Sequence, residues 1–137
     1  MGRIMALDVG SVRVGIALSD SLKLISSPHE SYVRVNINRD IAYINDIAAT
    51  FEVELIVVGL PMNMDGSENA QSALTRAFAD KLSAAVKVPI AFEDERFTTR
   101  LATRVLLEAD VSRAGRKKSV DKIAASFILQ SYLDKRR

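Results

Sequence analysis

Apolar and polar residues first alternate along this chain, then cluster, then recur at helical spacing, and the order of these rhythms predicts its elements. Arg3 to Leu7 is a short apolar run that ends on Asp8, the pattern of a central strand. Gly10-Ser11 marks a turn, after which Val12, Val14, Ile16 and Leu18 alternate with Arg13, Gly15, Ala17 and Ser19. That period of two predicts a second strand. A third extended segment falls within residues 25–35, interrupted by Pro28. Three strands so close in sequence predict an antiparallel meander.

Helical spacing then takes over. Ile41, Ile44, Ile47, Ala48 and Phe51 lie three and four apart, predicting an amphipathic helix that starts near Asn38. Leu55-Ile56-Val57-Val58 is wholly apolar and rich in β-branched residues, the mark of a buried parallel strand. Residues 67–86 predict a helix with Ala70, Leu74, Ala77, Phe78, Leu82 and Ala85 on one face. Pro89 to Phe92 predicts another buried strand, and helices over 98–109 and 120–135 follow it. The expected order is β-β-β-α-β-α-β-α-α, an α/β fold with helices packed on a mixed five-stranded sheet.

The 137 residues suit a single domain spanning 1–137, and 48% apolar with 26% charged residues is ordinary globular composition. There is no cysteine, which excludes disulfides, thiolate zinc sites and a thiol nucleophile, and agrees with a reducing compartment. The apolar run before Asp8 is too short for a signal peptide, and no stretch approaches the ~20 residues needed to span a bilayer. A cytoplasmic protein is expected. The net charge of +2 hides an asymmetry. Residues 1–95 carry 8 Lys/Arg against 13 Asp/Glu, a balance of −5; residues 96–137 carry 11 against 4, a balance of +7. A basic final third points to a polyanion, with a well-solvated helix pair as the plain alternative. The segment from Ser112 to Ser119 holds four positive charges and nothing apolar larger than Ala, so a mobile loop is expected there.

Three places carry acids that need explaining. Asp8 closes a strand expected in mid-sheet, where a carboxylate is costly unless it is paired or binds a cation; otherwise it caps the turn before Gly10. Glu93-Asp94-Glu95 follows a buried strand, with Glu93 and Glu95 on one face and Asp94 on the other. Such a cluster suits a ligand at the carboxyl edge of a sheet, or a salt-bridge network using Arg96. Asp121 shares a helical stripe with Ala124, Ala125, Ile128 and Tyr132, the apolar face, although the helix dipole also favours an acid at a helix start. Oxygen-only donors from these three places fit Mg²⁺ or Mn²⁺ rather than zinc, and two such ions can hydrolyse a phosphodiester. The single histidine, His29, stands beside Pro28 in an expected solvated loop, leaving no Ser-His-Asp arrangement.

The glycines of Gly10-Ser11-Val12-Arg13-Val14-Gly15 have P-loop spacing, but Ile16-Ala17 replaces the Lys-Ser/Thr that phosphate chemistry needs. They read instead as a tight hairpin turn and a place of close backbone approach. Residues 59–67 form an expected loop at the carboxyl edge, where Ser67 is placed to cap the next helix.

Four segments in order resemble the YqgF (RuvX) family of Holliday-junction-resolvase-like proteins and pre-16S ribosomal RNA nucleases. They are Leu7-Asp8-Val9-Gly10 with Arg13 to Asp20; Gly59-Leu60-Pro61 with Asn63 to Gly66; Asp94-Glu95-Arg96-Phe97-Thr98-Thr99; and Val111-Ser112-Arg113 with Arg116-Lys117-Lys118, Asp121-Lys122 and Ala124-Ala125. Phe97 stands where the family pattern has Leu. The resemblance implies a ribonuclease H-like fold, with Asp8, Glu95 and Asp121 as catalytic, metal-holding acids. It implies maturation of the 5′ end of the small-subunit ribosomal RNA precursor, with branched DNA as the other substrate to consider. Arg13, Arg96, Arg113, Arg116, Lys117, Lys118 and Lys122 are the cations expected to hold the nucleic acid, in a monomer or homodimer. A non-catalytic nucleic-acid-binding module is the first rival reading. An actin-like ATPase is the second, and 137 residues supply only one of the two domains it needs.

Overall fold

The first three strands, β1 (Arg3–Val9), β2 (Arg13–Ser19) and β3 (Ser26–Val33), form the expected meander. The structure, a computed structural model, describes residues 2–96, 98–108 and 113–136, without the side chains of 99, 100, 102, 103, 106 and 113–119. After the meander come α1 (Ile37–Thr50), β4 (Val53–Leu60), α2 (Ala70–Ala85), β5 (Ile90–Asp94), α3 (Thr98–Glu108) and α4 (Arg113–Lys135). The sheet order is β3-β2-β1-β4-β5. β1 is central: antiparallel to β2 and parallel to β4, which is parallel to β5.

Alternation along β1 sorts its side chains between two cores. Met5, Leu7 and Val9 join α1 and α2 on one face, with Ile44, Phe78 and Leu82. Ile4 and Ala6 join Ala125, Ile128, Leu129 and Leu133 of α4 on the other. Asp8 therefore falls on the α4 face. Each large side chain so buried contributes about 1.5–3 kcal/mol.

The sheet edges and caps differ in places from expectation. Pro28 and His29 lie inside β3, not in a loop; β3 is an edge strand, where a residue without an N–H is tolerated. Register shifts between Ile16 and Ala17, so that Glu30 and Pro28 are consecutive partners. His29 packs edge-on against Phe51, ring centroids 5.1 Å apart. Gly59 and Leu60 belong to β4 rather than to the following loop. Asn69, not Ser67, caps α2: its side chain accepts from the Ser72 amide at 3.1 Å, and Ser72 Oγ accepts from the Asn69 amide at 3.0 Å. Ser67 is held in the loop by Asp65 and Asn63. The buried face of α2 is Ser72, Thr75, Phe78, Ala79 and Leu82, leaving Leu74 exposed. Two small polar residues at inward positions hid that phase from a purely apolar count.

The largest difference lies in α4. It begins at Arg113, so residues 113–119 are helical rather than a loop, and Ser112 lies outside the described residues. Arg, Lys and Ala are strong helix formers. A stretch continuous with a buried helix needs no apolar face of its own to be helical.

Candidate active site

Asp8, Glu95 and Asp121 arrive from three elements on the same side of the sheet. Asp8 is the next-to-last residue of β1, paired across β2 with Gly15. Its other neighbour is β4, where Val58 is the partner of Leu7 and Gly59 comes next. Asp8 thus lies between two glycine positions. A Cβ at Gly15 would overlap the Asp121 carbonyl and stand 3.0 Å from Asp121 Cβ. A Cβ at Gly59 would stand 2.8 Å from Glu95 Oε2 and collide with Ile128. The missing side chains let α4 press its third turn onto β2 and let the Glu95 carboxyl lie over β4. Asp121 is therefore not at a helix start, and the dipole of α4 does not account for it.

Glu95 follows the last residue of β5, its amide donating to the Leu60 carbonyl at 3.2 Å, while the Thr98 amide donates to the Glu95 carbonyl at 3.1 Å. Its side chain and that of Asp8 share a hydrogen bond. Two carboxyls can do so only if one is protonated. Burial, then the charge of Asp8, pushes Glu95 up to about 10. Burial also lifts Asp8, to about 6, against the hydrogen bond from Glu95 and with the charge of Asp121 adding to the rise. Both shifts favour the protonated form, and more strongly at Glu95. Burial raises Asp121 as well, and the nearby Arg13 guanidinium opposes that rise.

The other acids of the cluster have structural partners. Glu93 is buried, accepting from Ser131 Oγ at 2.8 Å and from Lys135 Nζ at 2.7 Å, which ties β5 to α4. Asp94 takes Arg96 Nε at 2.8 Å, and Arg96 Nη1 donates to the Met64 carbonyl at 2.9 Å. Arg96 thus clamps the β4–α2 loop to the end of β5, a role its sequence position did not reveal. Lys122 follows Asp121 on α4 and is half-buried. Arg113, Arg116, Lys117 and Lys118 lie on the first turns of α4, and their side chains are outside the described ones. The role of Gly59 was missed in the sequence; the signal was a glycine ending an apolar strand run.

Glu95 Oε2 is buried and has no hydrogen-bond partner among the described residues. A buried carboxyl oxygen without a partner calls for an explanation, and oxygen donors of this kind suit a hard cation. Among the described residues no three His, Cys, Asp or Glu side chains are yet closed into a metal-holding group; Asp8 and Glu95 touch, and Asp121 acts on Asp8 through space. No helix among the described residues is long and apolar enough to cross a membrane.

The model of the RuvX family, described as Holliday junction resolvase, matches residues 2–135. The chain belongs to the RuvX family. A relative from Syntrophomonas wolfei, named "Putative pre-16S rRNA nuclease", is 46% identical over 132 residues, 96% of this chain and 94% of its own. A relative of the same name from Moorella thermoacetica is 47% identical over 133 residues, 97% and 95% of the two chains. Among solved structures, T. thermophilus RuvC in complex with a Holliday junction substrate superposes with a TM-score of 0.62 at 15% identity, covering 99% of this chain and 96% of that one. Fowlpox virus resolvase in complex with Holliday junction DNA gives 0.59 at 11% identity, covering 97% of each. This RuvX chain therefore has the ribonuclease H-like fold that its motifs implied.

Proposed function

We propose that this chain is a divalent-metal-dependent nuclease whose Asp8, Glu95 and Asp121 hold the ions and whose substrate is the precursor of 16S ribosomal RNA. The carrying observation is the buried Asp8–Glu95 pair with Glu95 Oε2 unpartnered. The name shared by the relatives supports the RNA substrate. The family's description keeps branched DNA as the second reading.

All donors are oxygens, which suits Mg²⁺ or Mn²⁺. When bound, a pair of such ions supplies an activated water and charge stabilisation for the departing oxygen. The chain's own residues do the rest. Asp8 and Glu95, as carboxylates, would hold such ions together with Asp121, and losing the proton that burial favours on Glu95 would be the condition for it. Arg13 balances charge beside Asp121. Arg96 ties the β4–α2 loop to Asp94 at the end of β5, and Arg113, Arg116, Lys117, Lys118 and Lys122 hold phosphates without reading bases. The setting is a bacterial cytoplasm, and the unit is one domain acting as a monomer or homodimer.

The test is cleavage of precursor 16S RNA and of a four-way junction by the purified chain, with Mg²⁺ or Mn²⁺ and with EDTA. Metal-dependent cutting of the RNA, lost in Asp8→Asn, is the expected result. Binding of both substrates without cutting would leave the binding-module reading instead.

A further inference from the structure

On the opposite face of the sheet from Asp8, a cavity of about 570 Å³ opens between α1, α2 and the β1–β2 turn. Its size is that of a small-ligand site. One wall is apolar, with Val9, Val35, Leu74 and Phe78. Val35 and Leu74 are 63% and 65% exposed, so they are its accessible part, while Val9 and Phe78 are buried behind them.

Polar groups line the same cavity. Arg34 Nε is bound to Asp40 at 2.9 Å and Nη1 to the Gly10 carbonyl at 2.9 Å, and the guanidinium sits 5.2 Å from the Phe78 ring centre. Its Nη2 has no hydrogen-bond partner among the described residues. Lys81, also lining the cavity, has no acidic partner among them either. Thr75 is 1% exposed and lines the cavity, yet its Oγ1 has no hydrogen-bond partner among the described residues. A threonine hydroxyl inside a helix can usually fall back on a backbone carbonyl of the preceding turn. This one does not. A buried, unpartnered hydroxyl thus lies at the lining of a cavity that also carries two cations and an apolar wall.

We propose that this cavity receives one unpaired nucleotide of the substrate strand, its base against the Leu74 wall with Thr75 Oγ1 on a base edge, and its phosphate toward Arg34 and Lys81. Gly10 and Ser11 line the cavity and follow Asp8 by two and three residues. A strand crossing the carboxyl edge of the sheet at Asp8 therefore passes the mouth of the cavity. Apolar surface opposite a guanidinium is how unstacked bases are commonly held. This inference rests on the nucleic-acid reading above, and its test needs neither metal nor cleavage.

The experiment is amide NMR of the full chain in EDTA, titrated with adenosine monophosphate, inorganic phosphate, a blunt RNA hairpin and the same hairpin with a single-stranded overhang. The monophosphate and the overhang hairpin should both shift the Ser11, Ile37 and Thr75 amides, and the blunt hairpin should not. Lys81→Ala should weaken monophosphate binding about tenfold. Thr75→Val should weaken it too while leaving the melting temperature unchanged or higher, because the hydroxyl has no bond to lose in the free protein. Shifts with adenosine monophosphate but not with the overhang would overturn the strand assignment. No shift at these amides with either, or wild-type binding by both variants, would overturn the site itself. Should the amides respond in a chain that never cleaves, the nuclease reading fails and this one stands.

Discussion

Gly15 lies directly under the backbone of Asp121: a Cβ there would overlap the Asp121 carbonyl oxygen. The relationship sets how closely α4 approaches the sheet, and with it how near Asp121 comes to Asp8.

Gly15→Ala follows from that contact. In an open strand the change would gain roughly 0.5–1 kcal/mol. Here a backbone carbonyl cannot rotate away, so overpacking should win, costing about 1–3 kcal/mol in urea unfolding. Cleavage should fall as Asp121 is displaced. Gly59→Ala meets only the ends of the Glu95 and Ile128 side chains, so it should cost less stability yet still impair cleavage. Equal stability of Gly15→Ala and the parent chain would show that α4 is free to lift.

The shared proton gives a pH dependence with a definite sign. Glu95 and Asp8 titrate in the fold at about 10 and about 6, against ordinary values of 4.5 and 3.8. Between those limits the folded chain holds more protons than the unfolded one, so stability falls as pH rises. Metal-free protein should melt higher at pH 5 than at pH 8, and Asp8→Asn should shrink the difference. Asp40 works the other way and lower down. Burial is outweighed there by hydrogen bonds from the Val35 amide, Arg34 and Tyr32, so its carboxyl is held low and its contribution is lost only in acid. A slope of the same size in Asp8→Asn would remove the pair from the account.

Mg²⁺ or Mn²⁺ should stabilise the fold by mass action, by about 2.7 kcal/mol at one hundred times the dissociation constant, and so raise the melting temperature. Asp8→Asn and Glu95→Gln should each be at least as stable as the parent chain without metal, since each relieves a crowded carboxyl pair. Both should lose most of the metal response. Retention of the full response would point to ligands elsewhere.

Neighbouring acids should separate cleanly. Glu95→Gln should abolish cleavage with little loss of stability. Glu93→Ala should do the reverse, because Glu93 joins β5 to Ser131 and Lys135 of α4. Denaturation midpoints and cleavage rates measured on both variants test this. Inactive, fully stable Glu93→Ala protein would mean that the wrong member of the cluster has been assigned.

The basic start of α4 offers a binding test. Replacing Arg116, Lys117 and Lys118 with Ala should weaken binding to unrelated sequences alike and flatten the slope of log affinity against log salt by about one to three units. Helicity should not suffer, because Ala is the best helix former. An unchanged slope would take these cations out of substrate binding.

The sequence by itself determined the elements and their order. Period-two alternation in β2, the apolar runs of β1 and β4 and the spacing of Ile41, Ile44 and Ile47 are local patterns set by which face each residue must bury. It also placed Asp8 at a strand end and Asp121 on the apolar stripe of its helix. It misread residues 113–119 and the phase of α2. There, polar residues are helical or inward because of what they adjoin in space, and a hydrophobic pattern carries no record of that. Only the tertiary structure decided that burial raises Asp8 and Glu95 together while Glu93 and Asp94 are spent on Lys135 and Arg96. Alternation set Asp94 apart but left Glu93 and Glu95 as equivalent candidates. What separates them is desolvation and distance to charges on other elements, and those quantities exist only once the chain has folded.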